Sequence, residues 1–206
     1  MKNALPLFLV LCLALDASAQ NTKGSSSLTG KINFGVKVGL NASNTDFNRG
    51  FPVPAVPVQT SWKAGFVAGF LLQVPLSQTF SLQQEYLYSQ MGGKINSSGT
   101  EYAFSYLSLP LLAKYALFPR FALLAGPQFD LLIQANQRVN GISSDVTHDT
   151  EERSLGATAG LEFYVLNNLS LTARYVYGLN NIGTGQRSAV TEFKYESVQF
   201  TTDIKF

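Results

Sequence analysis

The residues that could do chemistry fall into two groups. The first surrounds the only histidine, His148, in GISSDVTHDTEER (141–153), with Ser143, Ser144, Asp145, Asp149 and Glu151 close by. Serine, histidine and aspartate are the residue types of a nucleophile, its base and the carboxylate that orients the base. A loop this polar gathers such residues by composition, so the pattern predicts a solvated loop, with a loop-based hydrolase or acyltransferase as an alternative. The same acidic residues lack the D-x-D-x-D-G spacing of a built calcium loop. The second group is a set of charges set singly into apolar stretches. In SLTARYVYGLNN (170–181), Leu171, Ala173, Tyr175 and Tyr177 share one face at period two, and Arg174 lies on the opposite face with Ser170, Thr172, Val176 and Gly178. If water lies outside, that charge points outward; if lipid lies outside, it points into an interior where it must be paired.

Composition limits the choice. Of 206 residues only 14% are charged, against roughly 25% in soluble domains. Mean hydropathy is only +0.08, too low for a bundle of membrane helices. Aromatic content of 12% and 17 glycines favour strands and turns. A net charge of +2 suggests no nucleic-acid partner. Lys2, the apolar run Leu5–Leu15 and Ala17-Ser18-Ala19 form a signal-peptide pattern, with cleavage expected before Gln20. The run is too short to span a bilayer as a helix, which takes about 20 apolar residues. Leu11 before Cys12 argues against a lipoprotein site, and no other cysteine follows. The expected organisation is therefore a signal peptide (1–19), a flexible, Ser- and Gly-rich periplasmic leader (20–31) and one domain (32–206).

The elements that position the charges alternate with period two. Eight stretches do so: 32–44, 62–74, 80–91, 102–115, 121–134, 154–165, 170–181 and 193–206. The connections at 75–79, 116–120 and 166–168 are short, and those at 45–61, 92–101, 135–153 and 179–192 are long. Short turns at one end and long loops at the other match an outer-membrane barrel, with both termini on the periplasmic side. The fold class predicted is all-β: an eight-stranded antiparallel up-and-down transmembrane β-barrel. FPVPAVPVQ (51–59), with three prolines, reads as a stiff extended loop. Pro110 and Pro127, inside strands, are expected to mark bulges or strand ends.

The polar faces collect Lys37, Lys63, Lys114, Arg174 and Lys205 with Glu85, Asp130, Glu162 and Asp203. Small residues surround them, and Gln134 falls on the same face. Eight strands enclose a bore that side chains can fill. The expectation is a lumen packed with ion pairs and hydrogen bonds; on the lipid side each charge would cost about 2–4 kcal/mol at the midplane. Outward aromatics predict two interfacial belts: Trp62, Tyr86, Tyr88, Tyr175 and Tyr177 towards the loops, and Phe80, Tyr115, Phe121, Phe163 and Phe206 towards the turns. A soluble barrel of lipocalin type would invert these faces.

The stretches INFGVKVGLN (32–41), FSLQQEYLYSQMG (80–92), YLSLPLLAKY (106–115), ALLAGPQFDLLI (122–133), GLEFYV (160–165) and LSLTARYVYGLNNI (169–182) resemble, in order, the PorT-like outer-membrane β-barrel proteins. That resemblance implies a small eight-stranded barrel in a Gram-negative outer membrane. Ser108 stands where such sequences often carry an acid before the Leu-Pro pair. Similar barrels end in an aromatic read by the barrel assembly machinery, a role the resemblance gives to Phe206 with Ile204 and Phe200. The founding member's part in protein secretion is not carried over. The expected function is a non-enzymatic membrane anchor in contact with outer-membrane lipid, whose extracellular loops meet an unknown protein partner or ligand. A narrow gated pore, with Arg174, Glu162, Asp130 and Lys37 at its gate, is an alternative. No cofactor and no metal are expected.

Overall fold

The computed structural model describes residues 31–50, 53–184 and 191–206. The signal segment expected at 1–19, and the leader up to residue 30, lie outside the described residues.

Ten strands follow in chain order: β1 (Asn33–Asp46), β2 (Thr60–Pro75), β3 (Phe80–Ile95), β4 (Glu101–Phe118), β5 (Phe121–Val139), β6 (Ile142–Asp145), β7 (Arg153–Tyr164), β8 (Leu169–Gly178), β9 (Ile182–Thr184) and β10 (Thr191–Lys205). Eight of them form the wall, in the order β1-β2-β3-β4-β5-β7-β8-β10, and β10 pairs back to β1 to close it. Every wall pairing is antiparallel, so this is a closed up-and-down barrel with no free edge. The alternation predicted from sequence is the physical cause. Lys37, Asn41 and Ser43 are buried while Phe34, Val38 and Leu40 of the same strand are exposed. A closed wall turns one face to the bore and the other to the surroundings.

The wall is uneven. Crossing a bilayer takes about 9–11 tilted residues. β8 (10 residues) and β7 (12) match that length, whereas β2 and β3 (16 each), β4 (18) and β5 (19) exceed it. The excess carries the β2–β5 side roughly 15–20 Å beyond the membrane at the loop end. Two of the expected long loops are consequently shorter. Pairing between β3 and β4 continues to Lys94 opposite Glu101, leaving only residues 96–100 as a connection. β5 continues to Val139 and folds back as β6 through Asn140 and Gly141, at φ 50° and 86°. Two central residues of positive φ suit the twist of a tight hairpin, and Asn-Gly tolerates it best.

Neither strand proline makes the bulge expected of it. The β3–β4 ladder stops at Gln84 opposite Leu111 and resumes at Leu87 opposite Ser108 in the same register, stepping over Pro110. The β4–β5 ladder does the same at Pro127, between Gln128 opposite Pro110 and Ala125 opposite Ala113. Each proline withholds one N–H, and the intact pairs on either side hold the register. The irregularity lies elsewhere: Ser105 faces Gln134, but Tyr106 faces Leu132, so Ile133 is an extra residue on β5. It reverses the alternation, and Gln134, expected in the lumen, is exposed on the outside while Ala135 is buried.

The bore is not filled by polar groups alone. Val67, Leu71, Leu87, Leu112 and Leu124 point inward from β2–β5 and are at most 2% exposed. At the loop end Phe47, Met91, Tyr102, Phe104, Tyr106, Val176, Ile182, Phe193 and Tyr195 form one buried cluster. Its rings meet at 5.4 Å (Phe47–Phe193 and Phe104–Phe193) and 5.7 Å (Phe47–Tyr102), within the range of favourable aromatic pairing.

Candidate functional site

Arg174 points into the bore. Nη1 meets Glu85 Oε2 at 2.6 Å and Nε donates to Gln199 Oε1 at 2.6 Å. Glu85 Oε1 accepts from Gln83 Nε2 at 2.6 Å and lies 3.4 Å from Lys37 Nζ. Lys37 bridges onward to Asp203 at 2.7 Å, and Thr172 Oγ1 donates to the same carboxylate at 3.1 Å. Two cations and two carboxylates from β1, β3, β8 and β10 thus form one lattice across the middle of the bore. The register makes this possible, because Lys37 sits opposite Asp203 and Arg174 opposite Gln199. Both partners of each pair are buried, so loss of either would strand the other.

A second lattice lies towards the turns. Glu162 receives Lys114 on Oε2 and Lys205 on Oε1, each at 2.5 Å, and Ser170 Oγ donates to Oε1 at 2.7 Å. Both ammonium groups lie 4.9 Å from the centroid of the Tyr164 ring, whose face attracts cations. Two cations share one carboxylate here, so the turn end of the bore carries an excess positive charge.

Two expected lumen residues stand apart from these lattices. Asp130 is buried, but its partners are Gln128 Nε2 at 2.9 Å and the Tyr195 hydroxyl at 2.5 Å, and it forms no ion pair among the described residues. The Arg174 guanidinium is committed to Glu85 and Gln199 instead. Asp130 therefore ties the wall to the aromatic cluster, of which Tyr195 is part. Lys63 is not in the lumen. A register shift between Trp62 and Val67 carries its side chain to Gly92, where an added Cβ would lie 3.1 Å from Lys63 Cδ. There Lys63 pairs with Glu101 at 3.6 Å, beside Lys94 at 3.5 Å, with both partners partly exposed.

Outside, the wall is apolar. Leu40 (68%), Phe70 (67%) and Phe200 (62%) are among the most exposed side chains, and Phe66, Phe121, Leu161 and Leu171 join them. Such a belt around a closed barrel with buried charges is the arrangement lipid requires. A family model described as "Outer membrane protein beta-barrel domain" matches residues 18–183, well over half of the chain. The chain belongs to this outer-membrane β-barrel family. No curated protein matches it. Among solved structures, Neisserial surface protein A (NspA) is similar at TM-score 0.52 and 13% identity, over 85% of this chain and 97% of that one. The attachment invasion locus protein Ail of Yersinia pestis gives 0.50 and 15%, over 86% and 100%. The outer membrane protein AlkL gives 0.50 and 13%, over 91% and 96%. At these identities the likeness is one of fold.

Within this outer-membrane barrel the expected loop-side belt is incomplete. Tyr88 and Tyr175 are tied to polar groups, Tyr88 donating to Ser105 Oγ at 2.9 Å and Tyr175 to Glu196 at 2.7 Å. Arg49 Nη1 donates to the Tyr177 hydroxyl at 3.3 Å and lies over its ring. Trp62 and Tyr86 do not share a level. Trp62 pairs with Gly93 and Tyr86 with Phe70, eight positions further along β2, a separation of roughly 20 Å. At the turn end Phe80 pairs with Tyr115, and the Phe121 and Phe163 rings meet at 4.9 Å. Phe200, Ile204 and Phe206 face outward in a row.

His148 is exposed in a single 3-10 turn, Thr147–Asp149. Hydrogen bonds from Thr147, its hydroxyl first and then its N–H at 2.8 Å, hold the Asp145 carboxyl below the usual carboxylate range. On the projecting wall the Lys63 ammonium, helped by Lys94, does the same for Glu101. No cluster of potential metal ligands occurs among the described residues.

Proposed function

We propose that this protein is a non-enzymatic outer-membrane anchor, whose projecting β2–β5 wall and loops meet a protein partner or surface ligand. The observation that carries this reading is the filled bore. A gated pore would have to displace the Lys37–Glu85–Arg174–Asp203 lattice and also the ring cluster around Phe104. Exposed apolar side chains on the loop side, Val53 (69%) and Val56 (77%), offer contact points outside the membrane. On the same reading residues 1–19 are a cleaved signal, Phe200, Ile204 and Phe206 are read by the barrel assembly machinery, and the PorT-like resemblance marks a subgroup. The test is planar-bilayer recording of the pure refolded barrel, with a photo-crosslinker at Val56 on intact cells. The reading expects a silent bilayer and a discrete cross-linked band. Stepwise conductance would refute it.

A further inference from the structure

The turn end of the barrel differs in charge from the loop end. The turns at 76–79, 119–120 and 165–168 carry no acidic residue, and the cations there are Arg120 and the Lys114–Lys205 pair that shares Glu162. Arg120 is exposed and forms no ion pair among the described residues. It lines a pocket of about 410 Å3 with Pro119, Tyr164, Val165, Leu166 and Asn167. Behind that pocket the Tyr164 ring carries the two ammonium groups. An anionic group entering it would meet Arg120 directly, the Asn167 amide as a neutral donor, and the excess charge of the lower lattice.

An apolar groove of about 330 Å3 runs up the outer wall beside this pocket, across β7, β8 and β10. Its floor is Ala173, a small residue set between Leu161 on one neighbouring strand and Phe200 on the other. Phe121, Phe163 and Leu171 bound it nearer the turn, and Phe121 directly follows Arg120. A polar, cationic pocket at the membrane rim thus adjoins a slot for a hydrocarbon chain inside the apolar band: Arg120 and Tyr164 border the pocket, and the next pair inward, Phe121 and Phe163, borders the slot.

We propose that one phospholipid of the periplasmic leaflet is held here, with its phosphate on Arg120 and Asn167 and one acyl chain in the groove over Ala173. Charge complementarity selects the occupant, because the groove alone would take any chain, whereas the exposed Arg120, among turns that carry no acidic side chain, selects a chain that bears a phosphate. The site lies at the opposite end from the loops, so its failure would leave the anchor reading untouched.

Native mass spectrometry of the refolded barrel in detergent tests this, with dioleoyl phosphatidylglycerol as the probe and dioleoylglycerol as the neutral lipid of equal chains. One phosphatidylglycerol should persist per barrel, and dioleoylglycerol should not. Arg120→Gln lies in a turn and leaves the Tyr164 N–H to Arg120 carbonyl bond in place. It should lower retention roughly fivefold, the effect of one basic side chain at a membrane surface. Ala173→Phe, which fills the slot from the lipid side, should lower it comparably, while Arg138→Gln at the loop end should change nothing. Equal retention in wild type and Arg120→Gln would overturn the proposal. So would equal retention of dioleoylglycerol, or a ladder of lipid adducts with no preferred first one.

Discussion

Glu85→Leu is the most exacting perturbation of the middle lattice. It removes the carboxylate that Arg174 Nη1 meets at 2.6 Å and Lys37 Nζ approaches at 3.4 Å. Lys37 keeps Asp203 at 2.7 Å, and Arg174 Nε keeps Gln199. The stranded group is therefore one edge of the Arg174 guanidinium, in a bore whose other wall is Val67, Leu71 and Leu87. Breaking one side of a buried pair costs about 3–5 kcal/mol, and the contacts that survive put this case near the lower end, about 3 kcal/mol. Removing both partners with side chains of similar volume, Glu85→Leu with Arg174→Met, leaves no unpaired charge and should return to within about 1 kcal/mol of wild type. Urea unfolding in lipid vesicles, followed by fluorescence of the single tryptophan, Trp62, gives both values. A single variant that loses less than about 1 kcal/mol, or a double variant less stable than the single one, would refute the reasoning.

Three further outcomes follow from other contacts. Lys63→Gln should change stability by less than about 1 kcal/mol, because its pair with Glu101 is partly exposed; a loss of several kcal/mol in the same unfolding assay would return Lys63 to the lumen. Tyr195→Phe deletes the hydroxyl that bonds Asp130 and should cost about 1–3 kcal/mol, with faster amide exchange in the loop-end parts of β5 and β10; unchanged exchange would separate the ring cluster from Asp130. The Asp145 carboxyl is depressed in the folded loop, so the order it lends to the 147–149 turn is full above its ordinary value of about 4 and is lost as pH falls through the lower folded value. NMR shifts of Thr147 during acid titration should show this loss, and Asp145→Asn should abolish the pH dependence.

What the sequence discloses depends on how the two faces differ. Arg174, Lys37 and Glu162 are legible because each is polar between apolar neighbours at strict period two; Glu85 follows Gln84 and Asp203 follows Thr202, so only the wider alternation of their strands places them. The inward leucines are hidden because Leu71-Leu72, Leu111-Leu112 and Leu123-Leu124 put the same residue on both faces. Tyr102 and Phe104 look like lipid-facing residues, yet together with Tyr106 they line the loop end of the bore, where the interior is sealed by rings. Lys63 and Gln134 depart from their expected faces for a shared reason. A single extra residue reverses the alternation, and no local pattern announces it. The β5–β6 hairpin did carry a signal, Asn140-Gly141, masked by the polar residues around it.

The central claim is that apolar side chains meet lipid and the charges lie inside. Site-directed spin labelling tests it most directly, since the only cysteine in the sequence is Cys12, within the segment expected to be cleaved. Nitroxides placed singly at Leu40 and Phe70 in bilayers should be relaxed strongly by dissolved oxygen and weakly by a water-soluble nickel chelate. The reverse order at both positions would contradict the account.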